Sequence, residues 1–172
     1  MKLLPFFALL ALVLAPIIRA ADDTKKDGPE HINALVEKGR GAPVKLEGTQ
    51  SITTRATFKP PVQITIVAKT DSTDLRIGYA ANEVIFNWSV NPQQLRVDGG
   101  SANGQHKAGA GKIPTNKYVT IKWVVTTTKQ SIYVDDELRF EHSGDYSKID
   151  NPVSVLSNNS KVTAKTIRVK QL

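Results

Sequence analysis

The chain has 172 residues with no cysteine and one methionine, and 23 Lys+Arg against 16 Asp+Glu leave a formal charge of +7. That length suits one domain, or one domain with an appendage, and 40% hydrophobic with 23% charged residues is a globular composition. The missing cysteines exclude a disulfide scaffold, a Cys-ligated zinc site, an iron–sulfur cluster and a thiol nucleophile, while the positive charge raises the question of nucleic acid.

The N-terminus reads Met1-Lys2, an apolar run from Leu3 to Ile18, then Arg19-Ala20-Ala21 and Asp22-Asp23. A basic start, an apolar core and small residues before a polar stretch predict a secretory signal peptide over residues 1–20, cut after Ala20. An uncleaved membrane anchor fits less well, because Pro5 and Pro16 interrupt a run shorter than the roughly 20 residues that a span needs. Cleavage removes Lys2 and Arg19 and no acid, leaving 21 basic and 16 acidic side chains and a charge of +5. An exported chain without cysteine suits the bacterial envelope, whether periplasm, cell surface or medium. No transmembrane span is expected after cleavage. Asn87-Trp88-Ser89 and Asn158-Asn159-Ser160 match the glycosylation sequon, a pattern that arises easily by chance.

Residues 21–43 read as a charged leader and one short helix. Pro29 near its start, Glu30 in the first turn, Lys38 in the last and Gly39 just beyond predict a helix over Asp27–Gly39. Ile32, Leu35 and Val36 share its one apolar face.

From Val44 the period changes to two, and residues 44–172 read as one β-sandwich domain. Val62–Ile66, Leu75–Tyr79, Val84–Val90, Leu95–Val97 and Tyr118–Val125 alternate apolar with polar. Asn91-Pro92 marks a turn, and Ile132–Val134 and Leu138–Phe140 flank Asp135-Asp136-Glu137 as a hairpin. Val153–Val155 and Val162–Val169 close the chain. Short β-branched segments separated by Gly, Pro, Asn and Asp predict an all-β, two-sheet antiparallel sandwich or jelly roll. Between them, Gly99–Gly104 and Ala108–Gly111 bracket Gln105-His106-Lys107 with glycine, a loop of the kind that binds ligands or moves.

The second half carries a resemblance. Tyr118–Trp123, then Ser131–Leu138, then Asn151–Val155 leading to Val162–Val169, resembles the C-terminal part of a concanavalin A-like (laminin-G-like) jelly roll. It is most similar to exported bacterial domains of the 3-keto-disaccharide hydrolase-like family, over roughly Phe58 to Leu172. Asp136 stands where that pattern usually has glycine, and a type I′ turn needs positive φ at both central residues. The resemblance implies a fold; catalysis has to be argued from a site.

Glycoside hydrolysis needs two carboxylates about 5–9.5 Å apart, one of them protonated. The Glu-x-Asp-x-x-Glu pattern of concanavalin-type glucanases is absent, and Glu137 and Glu141 with Asp135 and Asp136 read as a solvated hairpin tip. His31, His106 and His142 lie in a helix start, the glycine-rich loop and a strand end, with no serine in an elbow motif. Gly109-Ala110-Gly111-Lys112 fails the phosphate-loop pattern, which requires glycine where His106 stands and Ser or Thr where Ile113 stands. Laminin-G-like relatives hold calcium at the sandwich rim, and Asp71 with Asp74, or Asp98 beside Gly99-Gly100, are oxygen-rich turns of that type. A full calcium site wants about 6–8 oxygens, so no cofactor is assigned. The basic residues are scattered as singles, Lys25-Lys26 apart, and no basic–aromatic platform appears, which argues against nucleic acid and fits a mild attraction to acidic polysaccharide or to the envelope surface better.

Sugar recognition uses aromatic faces, planar amides and Arg forks. Alternation over residues 75–97 puts Arg76, Asn87, Gln94 and Arg96 on one face, opposite Leu75, Ile77, Phe86, Trp88, Leu95 and Val97. Trp123, between Ile121 and Val125, reads as core, and so does Trp88 by the same alternation. The candidate ligand-binding residues are Arg76, Asn87, Trp88, Gln94, Arg96 and His106. The leading expectation is an exported, non-catalytic β-sandwich module that binds glycan at the bacterial envelope. A glycoside-processing hydrolase and a structural or protein-interaction module are the alternatives.

Overall fold

The computed structural model describes residues 42–172, so the expected signal peptide and the helix over Asp27–Gly39 lie outside the described residues. Ten strands follow in order: β1 (Val44–Thr53), β2 (Val62–Thr70), β3 (Leu75–Gly78), β4 (Glu83–Phe86), β5 (Leu95–Asp98), β6 (His106–Lys107), β7 (Val119–Val125), β8 (Lys129–Val134), β9 (Glu137–Ser143) and β10 (Ser154–Gln171). They form one antiparallel ladder in the order β6-β5-β4-β3-β10-β2-β7-β8-β9, with β1 also paired to β10. Among the described residues no helix is long and apolar enough to cross a membrane.

Strand β10 makes the corner. Its first residues, Ser154 to Leu156, pair with β3, while Val162 to Gln171 pair with β2. Between them Asn159 takes φ 53°, and the register slips at Gly48/Gln50 against β1 and at Ala164/Thr166 against β2. Such irregularities bend a strand and strengthen its twist. The ladder therefore folds over itself, and β3–β6 face β2 and β7–β9 across a single core, as in a jelly roll. The sequence pattern reads two closing segments, Val153–Val155 and Val162–Val169, where the structure has one strand, Ser154–Gln171. A residue that tolerates the left-handed region bends the chain there without ending the strand.

Period-two alternation sets the core. On β2 the side chains of Val62, Ile64, Ile66 and Ala68 are fully buried, and Val119, Ile121, Trp123 and Val125 match them on β7. The Trp123 ring meets Tyr79 from the opposite sheet edge-on, with centroids 6.1 Å apart, and its Nε1–H donates to Gln130 Oε1 at 2.9 Å. Edge-to-face geometry and a satisfied N–H explain why this large side chain stands in the centre.

The β8–β9 hairpin turns on two aspartates. Asp135 and Asp136 have φ of 49° and 66°, the paired positive values that a type I′ turn requires. Asp135 Oδ1 accepts the Thr120 N–H at 2.8 Å, which ties the strained turn to β7. The edges close by polar contacts: the Arg139 guanidinium donates to the Lys112 carbonyl at 3.2 Å and Ser101 Oγ donates to the Asp145 carbonyl at 2.5 Å.

Candidate functional site

The outward face of β3–β6 collects five of the six expected residues. Ile77, Val84 and Val97 form one register row, wholly buried toward the core. The adjacent row, pointing the other way, is Arg76, Ile85, Arg96 and His106. Ile85 is only 2% exposed although it is no part of the core. Its register neighbours are the two arginines, Arg76 and Arg96.

The arginines are anchored by acids of the same face. Arg76 donates to Glu83 Oε2 at 2.6 Å and to Asp74 Oδ1 at 3.2 Å, and its side chain is 16% exposed. Asp74 is 2% exposed, so this pair sits largely out of water. Arg96 Nε donates to both Asp98 oxygens at 2.8 Å, and its terminal nitrogens have no partner among the described residues. Glu83 and Asp98 face each other across β4 and β5. Alternation offered a signal for Glu83, which stands two residues before Ile85 and so shares the face of Arg76.

Trp88 belongs to this face. The Arg96 guanidinium lies over its ring, 4.7 Å from the centroid, and the His106 ring meets it edge-on at 5.5 Å. His106 Nδ1–H donates to Gln94 Oε1 at 3.2 Å. Trp88 is partly exposed and His106 exposed, so the indole, imidazole, amide and guanidinium form one cluster open to solvent.

Asn87 departs from the expected arrangement. Its φ of 48° ends β4 at Phe86 and reverses the alternation, so Asn87 turns inward and Trp88 outward. The buried Asn87 amide donates to the Ser72 and Ile113 carbonyls at 3.1 and 3.0 Å and accepts the Ile113 N–H at 2.9 Å. With both ends of its amide bonded, it pins the loops around the site and offers nothing to a ligand or a glycosyl group.

The glycine-rich stretch supports the cluster from below. It contains a short 3-10 turn at Gly100–Ala102 and the two-residue strand β6, which carries His106 beside Arg96. The Gly111 N–H donates to the Gln93 carbonyl at 3.1 Å and the Gly111 carbonyl accepts the Asn87 N–H at 2.9 Å. A Cβ at Gly111 would run into the Gln94 carbonyl, so only glycine lets the loop lie this close to the start of β5.

The other expected chemistries find partners within the fold. Glu137 pairs with Arg139, and hydrogen bonds from Lys129 and then Ser131 hold Glu141 below the ordinary carboxylate value. Asp71 Oδ1 accepts the Lys161 N–H and the Ser72 hydroxyl at 3.0 and 2.8 Å, while Asp74 and Asp98 hold the two arginines. Among the described residues no group of three or more His, Asp or Glu is placed to hold a metal ion.

No family model matches the chain, and no curated protein matches it. Its fold is similar to solved structures. The carbohydrate binding module CBM66 from Bacillus subtilis is 9% identical with a TM-score of 0.56, over 77% of this chain and 92% of that one. A galectin from Caenorhabditis elegans is 14% identical with a TM-score of 0.54, over 74% and 96%. A beta-glucanase from Bacillus licheniformis is 9% identical with a TM-score of 0.56, over 76% and 78%. At such identities the likeness shows the fold, a concanavalin A-like jelly roll, as the sequence resemblance implied.

Proposed function

We propose that this chain is an exported, non-catalytic module that binds glycan on the outward face of β3–β6. The observation that carries the reading is the cluster of Trp88, Arg96, Gln94 and His106 on one exposed surface. A sugar presents C–H faces and a ring of hydroxyls. The indole offers an apolar edge, the Arg96 terminal nitrogens donate, and the Gln94 amide and His106 Nε2 bond hydroxyls. Charges on this face are matched, Arg76 with Asp74 and Glu83 and Arg96 with Asp98, which suits a neutral ligand. The fold's likeness to a carbohydrate binding module and a galectin supports the same reading.

A glycan array probed with the full chain tests it. Binding to a neutral glycan is expected, weakened about tenfold by Trp88→Ala and by Arg96→Ala. No binding to any glycan, with both variants inert, sinks the proposal. Export is tested separately by fractionating cells that express the full chain, with the N-terminus of the exported form expected at Ala21.

The hydrolase reading has one observation in its favour: Glu83 and Asp98 stand opposite each other on the same face as Trp88. Each carboxylate is engaged by an arginine, so neither is free to hand a proton to a leaving oxygen. Release of chromophore from aryl glycosides, abolished by Glu83→Gln, is the result that favours the hydrolase.

A further inference from the structure

The opposite side of the molecule, the outward face of β1, β10, β2 and β7, has a different chemistry. Lys45, Thr163 and Lys69 lie in one register row, and Tyr118, just before β7, continues it. A second row, four residues along β2, reads Arg168, Thr65, Lys122 and Tyr133. At the usual strand rise these rows are about 13 Å apart, with Thr166, Val67 and Thr120 between them. Lys161 and Lys165 extend the first row along β10. A cleft of about 250 Å³ opens there, lined by Lys45, Lys69, Lys161 and Thr163 and bordered by Glu47 and Asp71.

Both tyrosines are capped by ammonium groups. Lys69 and Lys165 stand over the Tyr118 ring at 5.1 and 5.7 Å, and Lys122 over Tyr133 at 4.7 Å. Lys45, Lys69, Lys165 and Arg168 have no ion pair among the described residues, whereas Lys161 stands beside Glu47 and Asp71 and Lys122 pairs with Asp136 at 3.0 Å. The result is a surface of cations with hydroxyls between them, opened by the cleft at Lys45, Lys69 and Lys161.

From this arrangement we infer that the face binds a linear anionic polysaccharide, a chain of carboxylated sugars whose acidic groups meet the lysines while its hydroxyls meet the threonines. Charge complementarity selects an anion, because the lysines outnumber the acids of this face and the cleft between them raises its local concentration. The hydroxyls select a polar polymer. Nucleic acid fits poorly, because the tyrosine faces that would stack on bases are already covered by ammonium groups. This face shares no residue with the Trp88 cluster, so it stands or falls independently of the glycan reading.

Affinity electrophoresis of the full chain tests it, in gels cast with polygalacturonate, with neutral dextran or with single-stranded DNA. Polygalacturonate is expected to retard the protein and dextran to leave this face idle, and the retardation should vanish at about 1 M salt, where screening reaches about 3 Å. The double variant Lys69→Glu/Lys165→Glu should weaken the interaction at least about tenfold. Lys112→Glu/Lys148→Glu, with the same change of charge away from the face, should keep most of it. If the reversal variant does not fold, Lys45→Gln/Lys161→Gln supplies the neutral counterpart, expected to weaken binding several-fold. Equal loss in the Lys112/Lys148 variant overturns the site in favour of net charge. Tighter binding to single-stranded DNA than to polygalacturonate overturns the ligand class.

Discussion

The two outward faces of the sandwich use the same residue types in opposite ways. On β3–β6 the cations are arginines, each locked to carboxylates, with Asp74 almost wholly buried beneath Arg76. On β1, β10, β2 and β7 they are mostly lysines, standing over tyrosine rings or among threonines. A guanidinium with acids on one edge still presents donors in a fixed plane, which is what ordered hydroxyls need. An ammonium on a flexible stem fixes no geometry and offers charge alone. One face is built for shape and hydrogen bonding, the other for electrostatics.

The comparison can be broken at the pins of the first face. Asn87→Ala removes three side-chain hydrogen bonds, two of them buried, and places alanine at positive φ, so unfolding in urea should show a loss of about 4 kcal/mol. Asn87→Gly relieves the backbone but not the lost bonds, and should recover about 1 kcal/mol of it. Asp74→Ala leaves Arg76 half-partnered in a largely buried position and should cost about 3 kcal/mol by the same measurement. A loss within experimental error there would mean that the first face is not pinned.

The second face should respond far less. Lys69→Ala/Lys165→Ala uncovers Tyr118 and should change stability by only about 0.5 kcal/mol, while anion binding falls. The smallest effect belongs to Asp71, at the border of the basic cleft. The Lys161 N–H, and after it the Ser72 hydroxyl, hold its carboxyl below the ordinary value of 3.8. A depressed folded value means that its contribution is complete above pH 3.8 and fades as pH falls through the folded value. Melting curves of the native chain and of Asp71→Asn should therefore differ slightly near neutral pH and converge in acid.

Much of the fold was legible because alternation is a local signal. Val62–Ile66 and Tyr118–Val125 display their buried and exposed sides in the order of their residues. The Asp135-Asp136 turn was legible as a hairpin, but its conformation depends on Thr120 of a neighbouring strand. The candidate site was legible as a set of residue types and not as a surface. Arg76, Arg96, Gln94 and His106 come together as the pattern suggests. Trp88 and Asn87 exchange places because one residue at φ 48° ends the strand and flips the side chains after it. The period of two is exact, so one left-handed residue reverses the assignments next to it, until β5 begins a new strand with its own alternation.

The sequence by itself determined the all-β class, the core positions of β2 and β7, and the dispersal of its positive charge along the chain. That charge excess, read along the chain, argued against a nucleic-acid binder and for a mild attraction to acidic polysaccharide or to the envelope surface, without saying where. Tertiary structure decided where the charge lies. Lys45, Lys69 and Lys165 are far apart in the chain and become neighbours only because β10 runs between β1 and β2. Strand pairing brings residues within about 5 Å whatever their separation in sequence, so charge patterns across a sheet are invisible until the register is known.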